Sequence, residues 1–84
     1  MQNEFFDFFN NFKGRISDLS IFVSNDYLAH NEIGLAIDSF IDNLHEEEVK
    51  ITKVEFSFLR KIVIFFERDD RYGNLEILHN LIEN

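Results

Sequence analysis

Apolar residues recur at helical spacing along most of this chain, and the pattern is clearest over residues 30–44. Ile33, Ile37, Phe40, Ile41 and Leu44 fall on one face of a helix. Ala36 places a small residue beside that face, where a neighbouring helix can come close. Asn31 reads as the N-cap, and Glu32 in the first turn suits the helix dipole. A central helix is predicted over about 31–47. Gly34 sits in its first turns at a cost of about 1 kcal/mol against Ala, and close helix contact is the usual reason for accepting that. The other side is acidic. Asp38, Asp42 and Glu46 stand four residues apart, so they stack along one line of the helix surface. Like charges at that spacing cost a few tenths of a kcal/mol per pair. Glu47 and Glu48 extend the negative patch past the helix end. A solvated helix face is the ordinary reading of such a stripe. A surface for a cationic partner is the other.

The same periodicity organises the flanks. Phe5, Phe8, Phe9 and Phe12 predict a helix over 3–13, capped by Asn3, with Gly14 at its end. Phe6 falls off the main face. Phe is a modest helix former, so packing must hold this segment. Ser17 is the next N-cap, with Asp18 in the first turn. Leu19, Phe22, Val23 and Tyr27 then share the face of a helix over about 17–29, whose later half is weakened by Ser24, Asn25 and Asp26. Ser20 to Val23 also has strand character, but no second strand stands out to pair with it. Residues 48–51 connect to the fourth helix. Thr52 and Glu55 have capping-box spacing there, and Ile51 before the cap can meet Phe56 as a hydrophobic staple. Phe56, Leu59, Ile62, Val63 and Phe66 continue that helix, and Phe58 and Phe65 widen its apolar face to suit contact on two sides. Residues 67–71 form a charged turn. Asn74 caps a last short helix that carries Leu75, Leu78, Leu81 and Ile82. The expected fold is all-α: one domain over 1–84, a compact bundle of about five short helices.

Composition narrows the function. Eighty-four residues, 45% hydrophobic and with 11 Phe, supply one core and not two. There is no Cys, hence no disulfide framework and no thiolate metal site, which suits a reducing cytosol. Pro is absent and Gly occurs three times, which favours a helical chain without long linkers. No apolar run has membrane-spanning length, and the first residues lack the basic-then-apolar pattern of a secretory signal. Sixteen acidic against eight basic residues give a net charge of −8. That argues against direct contact with a nucleic-acid backbone or an anionic membrane. It suits a basic protein partner, or simply keeps a Phe-rich domain in solution.

Catalytic chemistry finds no support. His30, His45 and His79 have no His at i+3 or i+4 and form no HExxH pattern, and zinc needs three or four converging ligands. There is no Gly-rich phosphate loop and no nucleophile elbow. Asp38 and Asp42 lie on one helix, with no cleft implied for acid–base work. No enzyme, metal or cofactor is expected. Lys53, Arg60, Lys61 and Arg68 on the fourth helix suit internal pairing or solvation better than RNA binding.

Taken in order, several short motifs resemble the Maf-type immunity proteins of bacterial polymorphic toxin and contact-dependent growth inhibition systems. They are Arg15-Ile16-Ser17 and the His-x-Glu-x-Gly-x-Ala run from His30 to Ala36. The acidic helix from Asp38 to Leu44 follows, then the acidic turn Glu46-Glu47-Glu48. Ile51-Thr52 and Asp70-Arg71-Tyr72 complete the set, and the similarity covers roughly residues 15–82. Position 31 is Asn where Gly is common, and position 73 is Gly where an aromatic often follows the Tyr. The resemblance implies a cytoplasmic bacterial protein that binds and neutralises the C-terminal domain of a cognate toxin. That toxin would be an EndoU-like or other tRNA-cleaving RNase with a basic cleft, covered by a monomer in a 1:1 complex. The expected binding residues are Asp38, Asp42, Glu46, Glu47 and Glu48, with Asp69 and Tyr72. The alternative is a small helical adaptor without a toxin partner.

Overall fold

The structure, a computed structural model, describes residues 2–65, 76 and 78–83. Four α-helices dominate: α1 (Gln2–Asn10), α2 (Asp18–Ala29), α3 (Ile33–Glu46) and α4 (Lys53–Phe65). Strand β1 (Ile51–Thr52) directly precedes α4. A 3-10 turn (His79–Leu81) leads into β2 (Ile82–Glu83). The fold is mostly helical as expected, and among the described residues four α-helices take the place of about five. The last segment, expected as a helix through Ile82, instead ends as a strand lying parallel to β1, with Ile51 opposite Ile82 and Thr52 opposite Glu83. Leu78 and Leu81 are buried as expected and Glu76 is helical, while residues 79–83 depart from the expected α-helix. Ile82 is β-branched and suits the strand. Phe66, Asn74, Leu75 and the charged turn at 67–71 lie outside the described residues.

The core is aromatic. Phe5, Phe9 and Phe12 of the N-terminal segment are fully or almost fully buried, and so is Phe40 of α3. The Phe40 ring stacks on Phe9 at 4.4 Å and meets Phe12 edge-on at 5.1 Å. Phe8 reaches the other way, stacking on Phe58 of α4 at 4.4 Å. One Phe-rich helix thereby joins α3 to α4. Such ring pairs add about 0.5–1.5 kcal/mol each beyond the area they bury.

The capping signals place two of the four helix starts. Ser17 caps α2 by accepting a bond from the Ser20 amide. Thr52 Oγ1 accepts from the Glu55 amide at 3.0 Å, and Glu55 Oε1 accepts from the Thr52 amide at 2.8 Å, which completes the capping box. Gly14 takes φ +90° in the turn after α1, a backbone conformation that favours glycine. Two expected caps are corrected: α1 runs from Gln2 to Asn10, not 3–13, so Asn3 lies inside it and does not cap it. Asn31 does not open α3: its φ is +62° and it closes α2. Its amide bonds Leu28 O and the Glu32 amide bonds Tyr27 O, the paired bonds of a Schellman motif. Asn tolerates that left-handed geometry. Glu32 becomes the N-cap residue of α3, without a side-chain bond.

The face of α2 is also corrected. Leu19 and Phe22 are 71% and 66% exposed, while Ser20, Ile21, Ser24 and Leu28 face inward. Two serines thus lie on the buried face of α2, whose main helical neighbour is α3. Of the expected face, Leu19 and Phe22 point outward, while Val23 is half-buried and Tyr27 packs against the core. On α4 the buried stripe is narrow, only Leu59 and Val63, with Phe56, Phe58 and Ile62 half-buried. Ile64 and Phe65 are exposed, so Phe65 does not widen the face, whereas Phe58 meets Phe8 of α1 and Phe56 meets His79, which gives α4 contacts on two sides.

Ser24 Oγ is buried without a hydrogen-bond partner among the described residues. A hydroxyl in that state costs about 1–3 kcal/mol of desolvation. Ser24→Ala removes it without changing the shape of the interface. Equilibrium urea unfolding is expected to show the variant more stable by about 1 kcal/mol. A loss of stability would mean that the hydroxyl is bonded in solution.

Candidate functional site

The acidic residues singled out in the sequence separate into three groups. Asp42 and Glu46 lie on the outer side of α3, opposite the buried line of Ile37, Phe40, Ile41 and Leu44. Asp38 sits half-buried one turn earlier, and Leu35, 45% exposed, heads the same outer side. Burial pushes the Asp42 carboxyl above its ordinary value, the Asp38 carboxylate raises it further, and His45 opposes both. The Asp38 contribution is the carboxylate crowding that four-residue spacing predicts, and it is secondary to burial. None of the Lys or Arg residues among the described set forms an ion pair with Asp42, Glu46 or Glu48.

Glu47 belongs to the second group, because its carboxylate is occupied within the molecule. It accepts from the Ser17 amide at 2.8 Å, from Ser17 Oγ at 2.8 Å and from Ser20 Oγ at 2.6 Å. The Ser20 hydroxyl, aided by both Ser17 groups, draws its pKa below the usual glutamate range, against a smaller opposing effect of burial. Glu47 thus clasps the end of α3 to the N-terminus of α2, where four amides lack helical partners and a carboxylate is favoured.

Glu48 stands in the third group. It takes φ +52° at the position just beyond the α3 C-cap. Its amide bonds His45 O and the Val49 amide bonds Leu44 O, a second Schellman motif. A glutamate in this left-handed position costs roughly 1–2 kcal/mol relative to glycine. Glu48 also lines a shallow cleft of about 330 Å³ with His45, Glu46, Asn80 and Leu81, where the acidic end of α3 meets the 3-10 turn. Sequence reasoning did not anticipate Asn80 and Leu81 here, because nothing local to residues 78–83 indicates that the segment returns to the end of α3. Asp69 and Tyr72 lie outside the described residues.

The Arg15-Ile16-Ser17 motif proves to be a structural joint. Ile16 is buried and Ser17 is both cap and clasp. Arg15 makes a bidentate pair with Glu55, at 3.0 and 2.6 Å, and lies over the Phe12 ring at 4.0 Å. Its bond to Glu55 raises the guanidinium pKa further. Burial pushes Glu55 up, but the bonds from Arg15 and Thr52 outweigh it and leave its carboxyl below the ordinary range. Glu55 therefore serves the α4 cap and the α1–α4 tie at once.

Among the described residues no group of three or more His, Cys, Asp or Glu side chains is arranged to hold a metal ion. Among them, too, no helix is long and apolar enough to cross a membrane. Comparison of the chain with protein-family models, with curated proteins and with solved structures finds no match.

Two outcomes follow from this division of the carboxylates. Glu48→Gly relieves the left-handed strain, offset in part by the freer unfolded chain. It is expected to raise stability by about 0.5–1 kcal/mol in urea unfolding. Glu47 has a lowered folded-state pKa. Its contribution is therefore present at neutral pH and lost as pH falls through and below the ordinary glutamate value of about 4.3. Glu47→Gln is expected to lower the melting temperature at pH 7 and to flatten its decline between about pH 5 and 3. An unchanged acid limb would show that the clasp does not titrate with folding.

Proposed function

We propose that this protein is an immunity protein. It binds the C-terminal nuclease domain of a cognate growth-inhibition toxin in the cytoplasm and neutralises it by covering its active site. The toxin is an EndoU-like or other tRNA-cleaving RNase, bound 1:1, and the protein acts by binding and not by catalysis. The observation that carries this reading is the outer line of α3. Asp42 and Glu46 lie there with Asp38 beside them and Glu48 beyond, and among the described residues no Lys or Arg forms an ion pair with Asp42, Glu46 or Glu48. A nuclease that attracts RNA needs a basic cleft, and a rigid helical line of carboxylates complements one. The ordered motifs from Arg15 to Tyr72 add the resemblance to Maf-type immunity proteins.

Magnitudes add a requirement. Nanomolar neutralisation corresponds to about −12 kcal/mol. Exposed ion pairs supply roughly 0.2–1 kcal/mol each. Four carboxylates do not reach that figure, so apolar contact must carry much of the affinity. A second reading, a helical adaptor, is favoured by one observation, the outward-facing Leu19 and Phe22. It differs in outcome: an adaptor binds its partner without stopping RNA cleavage.

The test uses the toxin domain encoded immediately upstream. One equivalent of the protein is expected to abolish tRNA cleavage, with association that slows as salt rises. Asp42→Lys with Glu46→Lys is expected to reduce the association rate about tenfold or more at low salt. Unchanged association and protection by a folded double variant would remove α3 from the interface.

A further inference from the structure

We propose that the outer face of α3 docks a cationic helical segment that carries one large apolar side chain. Leu35 receives the apolar side chain, and Asp42, Glu46 and the cleft beside Glu48 receive its Lys or Arg side chains. The proposal rests on the reading of α3 as the binding face and adds the apolar anchor that charge cannot supply.

Three observations converge. First, Leu35 is the one large hydrophobic residue of α3 that is exposed, at 45%, while Ile37, Phe40, Ile41 and Leu44 are fully buried. Second, Leu35, Asp42 and Glu46 follow a spacing of seven and then four residues, which keeps all three on one line of the helix. At 1.5 Å per residue, Leu35 lies about 10 Å from Asp42 and about 16 Å from Glu46 along the axis. A second helix alongside meets that line with side chains of the same spacing. Third, the line does not fade into a convex surface. It ends at the cleft of about 330 Å³ where His45, Glu46 and Glu48 face Asn80 and Leu81, so a long basic side chain finds carboxylates and an apolar wall together.

Charge selects the occupant. The outer positions of α3 from Asp38 to Glu46 carry no Lys or Arg, and an acidic or neutral helix gains nothing there. The more exposed pair on α2, Leu19 and Phe22, lacks this bias. The groove beside Phe22 is lined by Lys13 and Asp18 together, so its charges balance.

The experiment titrates the uniformly 15N-labelled full chain with alanine-based helical peptides of about 18 residues at low salt. One peptide has Leu at i and Lys at i+7 and i+11. A second has Ala in place of Leu, and a third has Glu in place of both Lys. Amide shifts are expected on α3 and around residues 79–82. The Leu peptide is expected to bind about fivefold more tightly than the Ala peptide, and the Glu peptide not at all. Leu35→Ala erases the Leu preference while leaving the Ala peptide unaffected, and Leu35→Met keeps the preference. Equal affinity for the Leu and Ala peptides, shifts centred on Leu19 and Phe22, or no binding would each overturn the proposal. Because no toxin is used, a chain that fails to protect against the nuclease yet binds the Leu peptide in this pattern refutes neutralisation and leaves the docking face standing.

Discussion

The stack of Phe40 on Phe9 is the contact through which the rest of the molecule holds together. α1 has no strong helix propensity of its own and exists as a helix because its rings have somewhere to go. Phe40 offers that place: it is fully buried, near the middle of α3, and in contact with the rings of Phe8, Phe9 and Phe12. With α1 seated, Phe8 is in position to take Phe58 and so bring in α4. Once α4 is docked, β1 is held where β2 can pair with it. A cavity at Phe40 would therefore be felt in every element and not in α3 alone.

Around this aromatic centre, two carboxylates tie the connections. Glu55 holds the α1–α2 turn to α4 through Arg15, and Glu47 holds the start of α2 to the end of α3. These two carboxylates are engaged within the fold. Asp42, Glu46 and Glu48 face outward, and one of them occupies a strained backbone position. A run of three consecutive glutamates thus holds different physical situations side by side: a solvated helix end, an internal clasp and a left-handed cap. Neighbouring residues point in different directions as the helix terminates, and charge counting alone does not separate them.

The helices were legible where the signal is local. Ser17 and the Thr52–Glu55 box mark their starts through side-chain geometry that any chain would use. The buried line of α3 follows from its periodicity. Three features were not legible. Burial of Ser20 and Ser24 in place of Leu19 and Phe22 departs from a hydropathy reading, and for Ser20 the reason is its bond to Glu47 at the end of α3, which no local pattern marks. Asn31 resembles an N-cap, and only the tight joint between α2 and α3 makes it a C-terminal residue of the earlier helix. The pairing of Ile82 with Ile51 spans distant sequence and has no local mark. At the candidate site, the line of Asp38, Asp42 and Glu46 was visible from spacing. The anchoring role of Glu47 and the cleft wall at Asn80 and Leu81 depend on which segments meet there.

The seating of α1 on later parts of the chain sets a problem for synthesis. The three buried phenylalanines of the N-terminal segment, and Phe8 beside them, leave the ribosome well before Phe40 and Phe58, which complete their burial. At about 5–20 residues per second, Phe12 precedes Phe58 by roughly 2–9 s. During that interval the N-terminal segment is a short, ring-rich strip without a partner, the kind of segment that chaperones bind and that self-associates when crowded. The acidic side chains interleaved with it, Glu4 and Asp7, are the nearest charges available to keep nascent chains apart. The feature that makes the finished domain cohesive thus makes its first seconds the most hazardous, and yield in the cell depends on how quickly α3 follows α1 into the open.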